Sequence, residues 1–363
     1  MVVIRVAACH ASPVFLSARE TTEKAISLIR EAAEQKANLV AFAETYIPAF
    51  PIWSALRPPT HNHELFKRMA RESVYADGEE VGAIRAAARQ LGVMVSIGIS
   101  EKVRTSSATL YNSNLFIGAD GAVLVHHRKL MPTFYEKLTW APGDGHGLRV
   151  ADTPLGKIGN LICGENTNPL ARYALMAQGE QLHISSWPAV WPTRLSGSGS
   201  ANFDNVSANR TRAAAHCFEA KCFGVLCSGF LGADAIEAVA SGSDNEELIT
   251  RELSQSKRGA TMFLDPTGAP LPGFVVSKDT SAREQKDMLQ EEEGILYVDM
   301  DLEDGVEGKQ YHDVVGGYQR LDVFELRVDR TRHHPANFVE RTIPAAETTT
   351  QETEQDRGNV EVL

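Results

Sequence analysis

Three side chains with reactive chemistry each follow directly on a short apolar run: Glu44 after residues 39–43, Lys129 after 123–128 and Cys163 after 158–162. A free thiol titrates near about pH 8.5 and attacks poorly at neutral pH until a base takes its proton or a cation steadies the thiolate. A glutamate and a lysine together could do both. Positive charge and backbone N–H groups beside the attacked carbon would also stabilise the negative charge that develops there, usually the largest catalytic contribution. Cys163 opens a strand-to-helix turn, and Gly164 after it lets the backbone approach a substrate closely. Taken singly, the same residues also describe a buried core thiol, a solvated charge and a helix cap. Spacing and periodicity do not by themselves join them into a triad.

The elements around them must do the joining. Apolar, β-branched runs predict strands over residues 3–9, 39–43, 93–100, 110–117, 123–127, 157–162, 182–187, 222–228 and 259–264. Between them, helical patterns run from the Ser17-x-x-Glu20 capping box to residue 36, over 63–74 and 79–91, and over 210–220. Asn168 as N-cap, Pro169 in the first turn and Gly179 beyond the end bracket a further helix just after Cys163. Asp120-Gly121 signals a hairpin, so antiparallel pairs mix with βα units. In layered α/β folds the carboxyl ends of strands converge on one crevice, where residues far apart in sequence can meet.

Composition narrows the function. The chain has 363 residues, 43% hydrophobic and 23% charged, which suits an ordinary globular protein. A net charge of −11 repels phosphate backbones and anionic lipid, so nucleic-acid and membrane partners are not expected. No stretch reaches the roughly 20 apolar residues that a membrane span needs, and the N-terminus lacks the parts of a signal peptide. Five cysteines with no CxxC pair argue for free thiols and a cytoplasmic protein. The Cys217/Cys222/Cys227 spacing beside His216 matches no common zinc pattern, and neither metal nor organic cofactor is expected. Adjacent histidines at 126–127 and 333–334 diverge in an extended chain, which favours packing roles. Gly143-Asp-Gly-His-Gly147 lacks the ending of a phosphate loop and reads as a turn.

The chemical residues also sit in motifs that resemble those of the nitrilases, within the carbon–nitrogen hydrolase superfamily. Ala41-Phe-Ala-Glu44-Thr-Tyr-Ile-Pro-Ala-Phe-Pro51 is similar to the family's glutamate motif, with Ala43 in place of Pro. His127-Arg-Lys129-Leu-Met-Pro-Thr133, followed by Glu136 and Trp140-Ala-Pro-Gly-Asp-Gly145, resembles its lysine motif. Ile162-Cys163-Gly-Glu-Asn-Thr-Asn-Pro-Leu resembles its nucleophile motif, with Gly164 for the frequent Trp. Glu165 favours the nitrilase branch over amidases and carbamoylases. Gly316-Gly-Tyr-Gln-Arg-Leu-Asp-Val323 is close to a fourth motif.

The resemblance implies a four-layer αββα sandwich and a triad of Cys163, Glu44 and Lys129, with Glu136 as an additional carboxylate. It implies hydrolysis of a small organic nitrile with water to the acid and ammonia, with amide or carbamoyl hydrolysis and cyanide degradation as the alternatives. Homo-oligomers, dimers extending into spirals, are implied as well. Gly164, Tyr135 and Trp187 are the expected substrate contacts. Residues 1–340 are expected to form one domain, followed by a polar tail over 341–363 that is disordered alone. Residues 196–200 and 232–257, rich in polar and small side chains, are expected to be excursions from the core.

Overall fold

The strand Val3–His10 is apolar at all positions but Arg5 and His10, and both of its faces are covered along most of its length. Ile4, Val6 and Ala8 point one way, into a cluster with Ile158, Ile184, Val225 and Phe263 of a second sheet. Ala7 and Cys9 point the other way, against Ala25 and Ile29 of the helix Ala18–Glu34 and Ile84 and Ala88 of the helix Glu79–Leu91. On the far side of the second sheet, Leu161 packs on Ala171 and Leu175 of the helix Pro169–Met176. Leu226 packs there on Ala213 and Cys217 of the helix Asn205–Ala220. The stacking is helix, sheet, sheet, helix: a four-layer αββα sandwich.

This computed structural model describes residues 3–191, 202, 204–277, 279–336 and 338–339. The stretch 196–200 and the tail 341–363 lie outside them. Both sheets belong to the unit Met1–Arg332. The first sheet runs, edge to edge, through Arg283–Lys286, Gly273–Val276, Gly294–Asp301, Val3–His10, Leu39–Ala41, Met94–Lys102, Leu110–Ile117 and Val123–Arg128. The second is built around Gly156–Ile162, Leu182–Trp187 and Phe223–Ser228, three neighbours in parallel. Val3–His10, Leu39–Ala41 and Met94–Lys102 are likewise parallel. Glu44 and Cys163 therefore leave the carboxyl ends of central strands in two facing sheets. Among the described residues no helix is long and apolar enough to cross a membrane.

Two expectations need correction. Ser17 does sit at the N-cap of Ala18–Glu34, but its side chain accepts no cap hydrogen bond. The Ala18 N–H donates instead to Glu72 Oε2 at 3.1 Å, so a tertiary partner replaces the local box. Residues 232–257 are no excursion either: they fold as the helices Ala233–Ala240 and Glu246–Gln255. Ala235, Val239, Ile249 and Leu253 bury an apolar face against Trp53, Phe15 and Leu231. The segment is polar on average because only one face of each helix is covered.

Candidate active site

Cys163 ends the run 156–162 with φ of +51°, a left-handed conformation that costs a non-glycine residue energy and so must be held in place by its surroundings. Two buried side chains hold it. Asn166 Nδ2 donates to the carbonyls of Leu161 at 3.2 Å and Cys163 at 3.0 Å. Glu165 accepts from the Ile162 N–H at 2.9 Å and, through its other oxygen, from the Leu130 N–H at 2.6 Å, while His127 Nε2 donates to both oxygens. Burial opposes the Glu165 charge, but His127 and these N–H groups outweigh it and hold the carboxyl below its ordinary value. One carboxylate thus clamps the loop after Lys129 to the strand before Cys163.

Lys129 itself is fully buried between two acids. Its Nζ donates to Glu44 Oε1 and Glu136 Oε2, each at 2.7 Å. Asn112 Nδ2 also donates to Glu44 Oε1 at 2.7 Å, and the Thr133 N–H donates to Glu136 Oε2 at 2.9 Å. Glu44 can enter this space because the Met94–Lys102 strand carries Gly98 there. A Cβ on Gly98 would lie 2.3 Å from the Thr45 nitrogen and 2.9 Å from the Glu44 carbonyl carbon. A carboxylate oxygen of Glu44, one of Glu136 and the Cys163 sulfur lie within 4.8 Å of one another. Glu44 Oε2 and Glu136 Oε1 are buried with no hydrogen-bond partner. The ammonium already supplies the cation that such a cluster of acids requires.

The electrostatics follow from burial. Burial, and next the Glu44 charge, push the Cys163 thiol well above its ordinary range, although Lys129 and Arg212 pull the other way. Burial also works against the Lys129 ammonium, but the Cys163 sulfur, Glu136 and Glu44 outweigh it and raise the lysine above its usual range. Glu136 is pushed up to about 7 by burial and by Glu44, against the pull of Lys129. The resting site is thus a neutral thiol beside a fixed cation and a base, which suits proton transfer coupled to attack on an electrophilic carbon.

Cys163 opens on a cavity of about 640 Å³ whose lining includes Gly164, Thr133, Trp187, Trp191 and Arg212. The structure brings Glu44, Lys129, Glu136 and Cys163 together and places Gly164 and Trp187 on the cavity wall. Tyr135 is not part of that wall. It is buried behind it, stacked on Trp191 with ring centroids 4.5 Å apart. A Cβ on Gly164 would meet the Thr133 hydroxyl at 2.7 Å, so the space a larger residue would need is already filled. Cys217 and Cys227 fall in a helix and a strand. His216 directs its Nε2 to Glu180 at 2.7 Å and lies beside the buried Cys222 thiol. His126 and His127 bond Glu101 and Glu165 respectively, the divergence expected of neighbours in a strand.

Asn112, Asn166, Glu180, His183 and Arg212 carry parts of this site that the sequence reading left out. Glu180-x-x-His183 was visible as a pair of ionisable residues at the start of the buried strand Leu182–Trp187. The predicted helix 210–220 starts five residues too late: it runs over Asn205–Ala220, and its early start puts Asn205, Asn209 and Arg212 on one face.

With this fold and this site, the chain belongs to the carbon–nitrogen hydrolase family, which it matches over residues 5–310. It is 32% identical over 349 residues to a protein of Penicillium rubens named nitrilase, covering 93% of this chain and 96% of that one. It is 31% identical to an arylacetonitrilase of Hypocrea virens, covering 90% and 92%. The carbon–nitrogen hydrolase of Helicobacter pylori shares the fold, with a TM-score of 0.62 at 19% identity over 85% of this chain and 92% of that one.

Proposed function

We propose that the protein is a nitrilase, hydrolysing an organic nitrile to the carboxylic acid and ammonia. The observation that carries this is Lys129 shared between Glu44 and Glu136, with the Cys163 sulfur beside both acids at the base of a cavity. Relatives about a third identical over most of their length and named for nitrile hydrolysis support the choice of substrate bond.

In this reading Glu44 takes the thiol proton as Cys163 sulfur bonds to the nitrile carbon, and the nitrile nitrogen takes up a proton to give a thioimidate. Lys129 and the Gly164 N–H stabilise the charge that develops. A first water adds to that carbon, ammonia leaves, and a thioester remains. A second water displaces the sulfur, releasing the acid and returning the proton to the thiol. Glu136, near its midpoint at neutral pH, helps hold Lys129 in place and keeps the cluster from carrying two full negative charges.

The test is ammonia and acid release from aromatic, arylacetic and aliphatic nitriles, their amides and cyanide, with Cys163→Ala alongside. Turnover of nitriles lost in the variant is the expected result. Turnover of amides alone would move the protein to amide hydrolysis, and turnover of cyanide alone to cyanide degradation.

We place the working protein in the cytoplasm as a homo-oligomer. All five cysteines are free, and Tyr318, Leu321, Val323 and Phe324 expose an apolar strip suited to a second copy. Light scattering during size exclusion checks the assembly; a monomer at micromolar concentration would refute it.

A further inference from the structure

Arg212 stands in the wall of the Cys163 cavity, where no carboxylate among the described residues pairs with it and Glu44 and the Cys163 sulfur act on its charge only through space. Its Nε donates to the Ala208 carbonyl at 2.9 Å and its Nη2 to Asn209 Oδ1 at 2.8 Å, and its guanidinium carbon lies 4.3 Å over the Trp187 ring. These contacts fix its position and leave Nη1 without a partner among the described residues. Arg5, Arg128, Arg172 and Arg332, also partly buried, each meet a carboxylate: Asp299, Glu101, Glu219 and Asp144. Arg212 meets none among the described residues; the half-buried Arg57 and Arg258 are likewise without an ion pair there, but neither lines the Cys163 cavity.

Holding a guanidinium partly out of water without a counter-charge is costly, and burial does lower its pKa. The arrangement is rational when the counter-charge arrives with the ligand. Asn209 lies three residues earlier on the same helical face. It lines the same cavity, and with its Oδ1 occupied by Arg212 its Nδ2 donates to no acceptor among the described residues and is left as a second donor. A planar fork of donors on a rigid helix, backed by an indole, matches a carboxylate in geometry and charge.

We infer that Arg212 binds a carboxylate on the substrate at the end remote from the cyano carbon, so that the preferred substrates are cyano-carboxylic acids rather than neutral nitriles. This rests on the nitrile reading above. A guanidinium acting only on the Cys163 thiolate through space would instead favour every substrate alike.

Two measurements separate these outcomes. In the first, Cys163→Ala protein, which binds without turnover, is titrated with 3-cyanopropanoate, 4-cyanobutanoate and their methyl esters, read by tryptophan fluorescence. At least one acid should bind tenfold or more tighter than its ester, and adding Arg212→Gln should bring that ratio near one. Arg212→Lys, which keeps the charge and loses the fork, should retain part of the preference and guards against a glutamine variant that folds poorly. Equal binding of acid and ester, or equal weakening of both by Arg212→Gln, overturns the inference.

In the second, ammonia release by the Cys163 protein should favour the same acid in kcat/KM, with the preference reduced by Arg212→Gln. If the acid binds through Arg212 but neither acid nor ester yields ammonia, the nitrile reading fails and the carboxylate site stands.

Discussion

Two buried acid–base clusters flank the Cys163 turn, and they are finished differently. Behind it, every oxygen of Glu180 is occupied: Oε1 by His183 Nδ1 at 2.8 Å and Oε2 by His216 Nε2 at 2.7 Å, with the two imidazoles stacked 3.7 Å apart. His183 Nε2 passes the chain on to Asn166 Oδ1 at 2.8 Å, and so to the Cys163 carbonyl. In front of it, Glu44 and Glu136 share one ammonium, and each keeps an oxygen with no partner. Burial would raise both Glu180 and Glu136. The two imidazoles reverse that for Glu180 and hold it down at about 2, while Glu136 rises to about 7. Apart from His216 Nδ1, the Glu180 network is paired throughout; an acid with both oxygens occupied fixes geometry, and acids that each keep an oxygen unpaired leave it available to a reacting atom.

The contrast can be broken from either side. Glu44→Gln removes the base and keeps the shape, so kcat should fall on the order of 10³-fold with little change in the denaturant midpoint. Glu180→Ala leaves two buried imidazoles without their acid. It should cost about 3–5 kcal/mol in urea unfolding, with a smaller loss of kcat per folded molecule than Glu44→Gln. Equal kinetic losses in the two variants would erase the distinction drawn here.

The same two glutamates should bend the stability–pH curve in opposite directions. Glu180 lies below its unfolded value of about 4.5, so its contribution is complete above that pH and is lost as pH falls toward about 2. Glu136 lies above its unfolded value, so the folded state binds the extra proton and stability declines as pH rises from about 4.5 to about 7. Each effect is on the order of a few kcal/mol. Urea unfolding across pH, with Glu180→Gln and Glu136→Gln each flattening its own limb, checks both signs.

The smallest effects should come from the glycines that make room for each cluster. A Cβ on Gly98 would press on the backbone at Glu44 and Thr45, and one on Gly159 would meet Glu180 Oε1 at 2.0 Å. Each alanine should cost about 1–3 kcal/mol of stability. Only Gly98→Ala should also reduce kcat by more than the folded fraction explains, measured by active-site titration.

Much of this was legible in the sequence. The strands 110–117 and 182–187 and the helix 79–91 match their predicted bounds, because apolar runs and turn residues agree there. Asn168 caps the helix after Cys163 as expected, accepting from the Leu170 and Ala171 N–H groups. Glu44, Lys129 and Cys163 stood out by following apolar runs, but their meeting depends on two sheets facing each other, which no local pattern encodes. Ser17 failed as a capping box for the same reason, since Glu72 reaches its helix from another part of the fold. Arg212 was missed because its meaning is an absence, and only coordinates reveal a charge without a partner.

The raised thiol has one more consequence. Peroxide oxidises thiolates far faster than thiols, and burial beside Glu44 keeps Cys163 protonated while the cavity is empty. The protein should therefore keep its activity in air without added reductant. Damage to sulfinic acid under a peroxide challenge, followed by mass spectrometry, should be slow in the resting protein and slower still during turnover, when the sulfur is bonded to carbon and the cavity is filled.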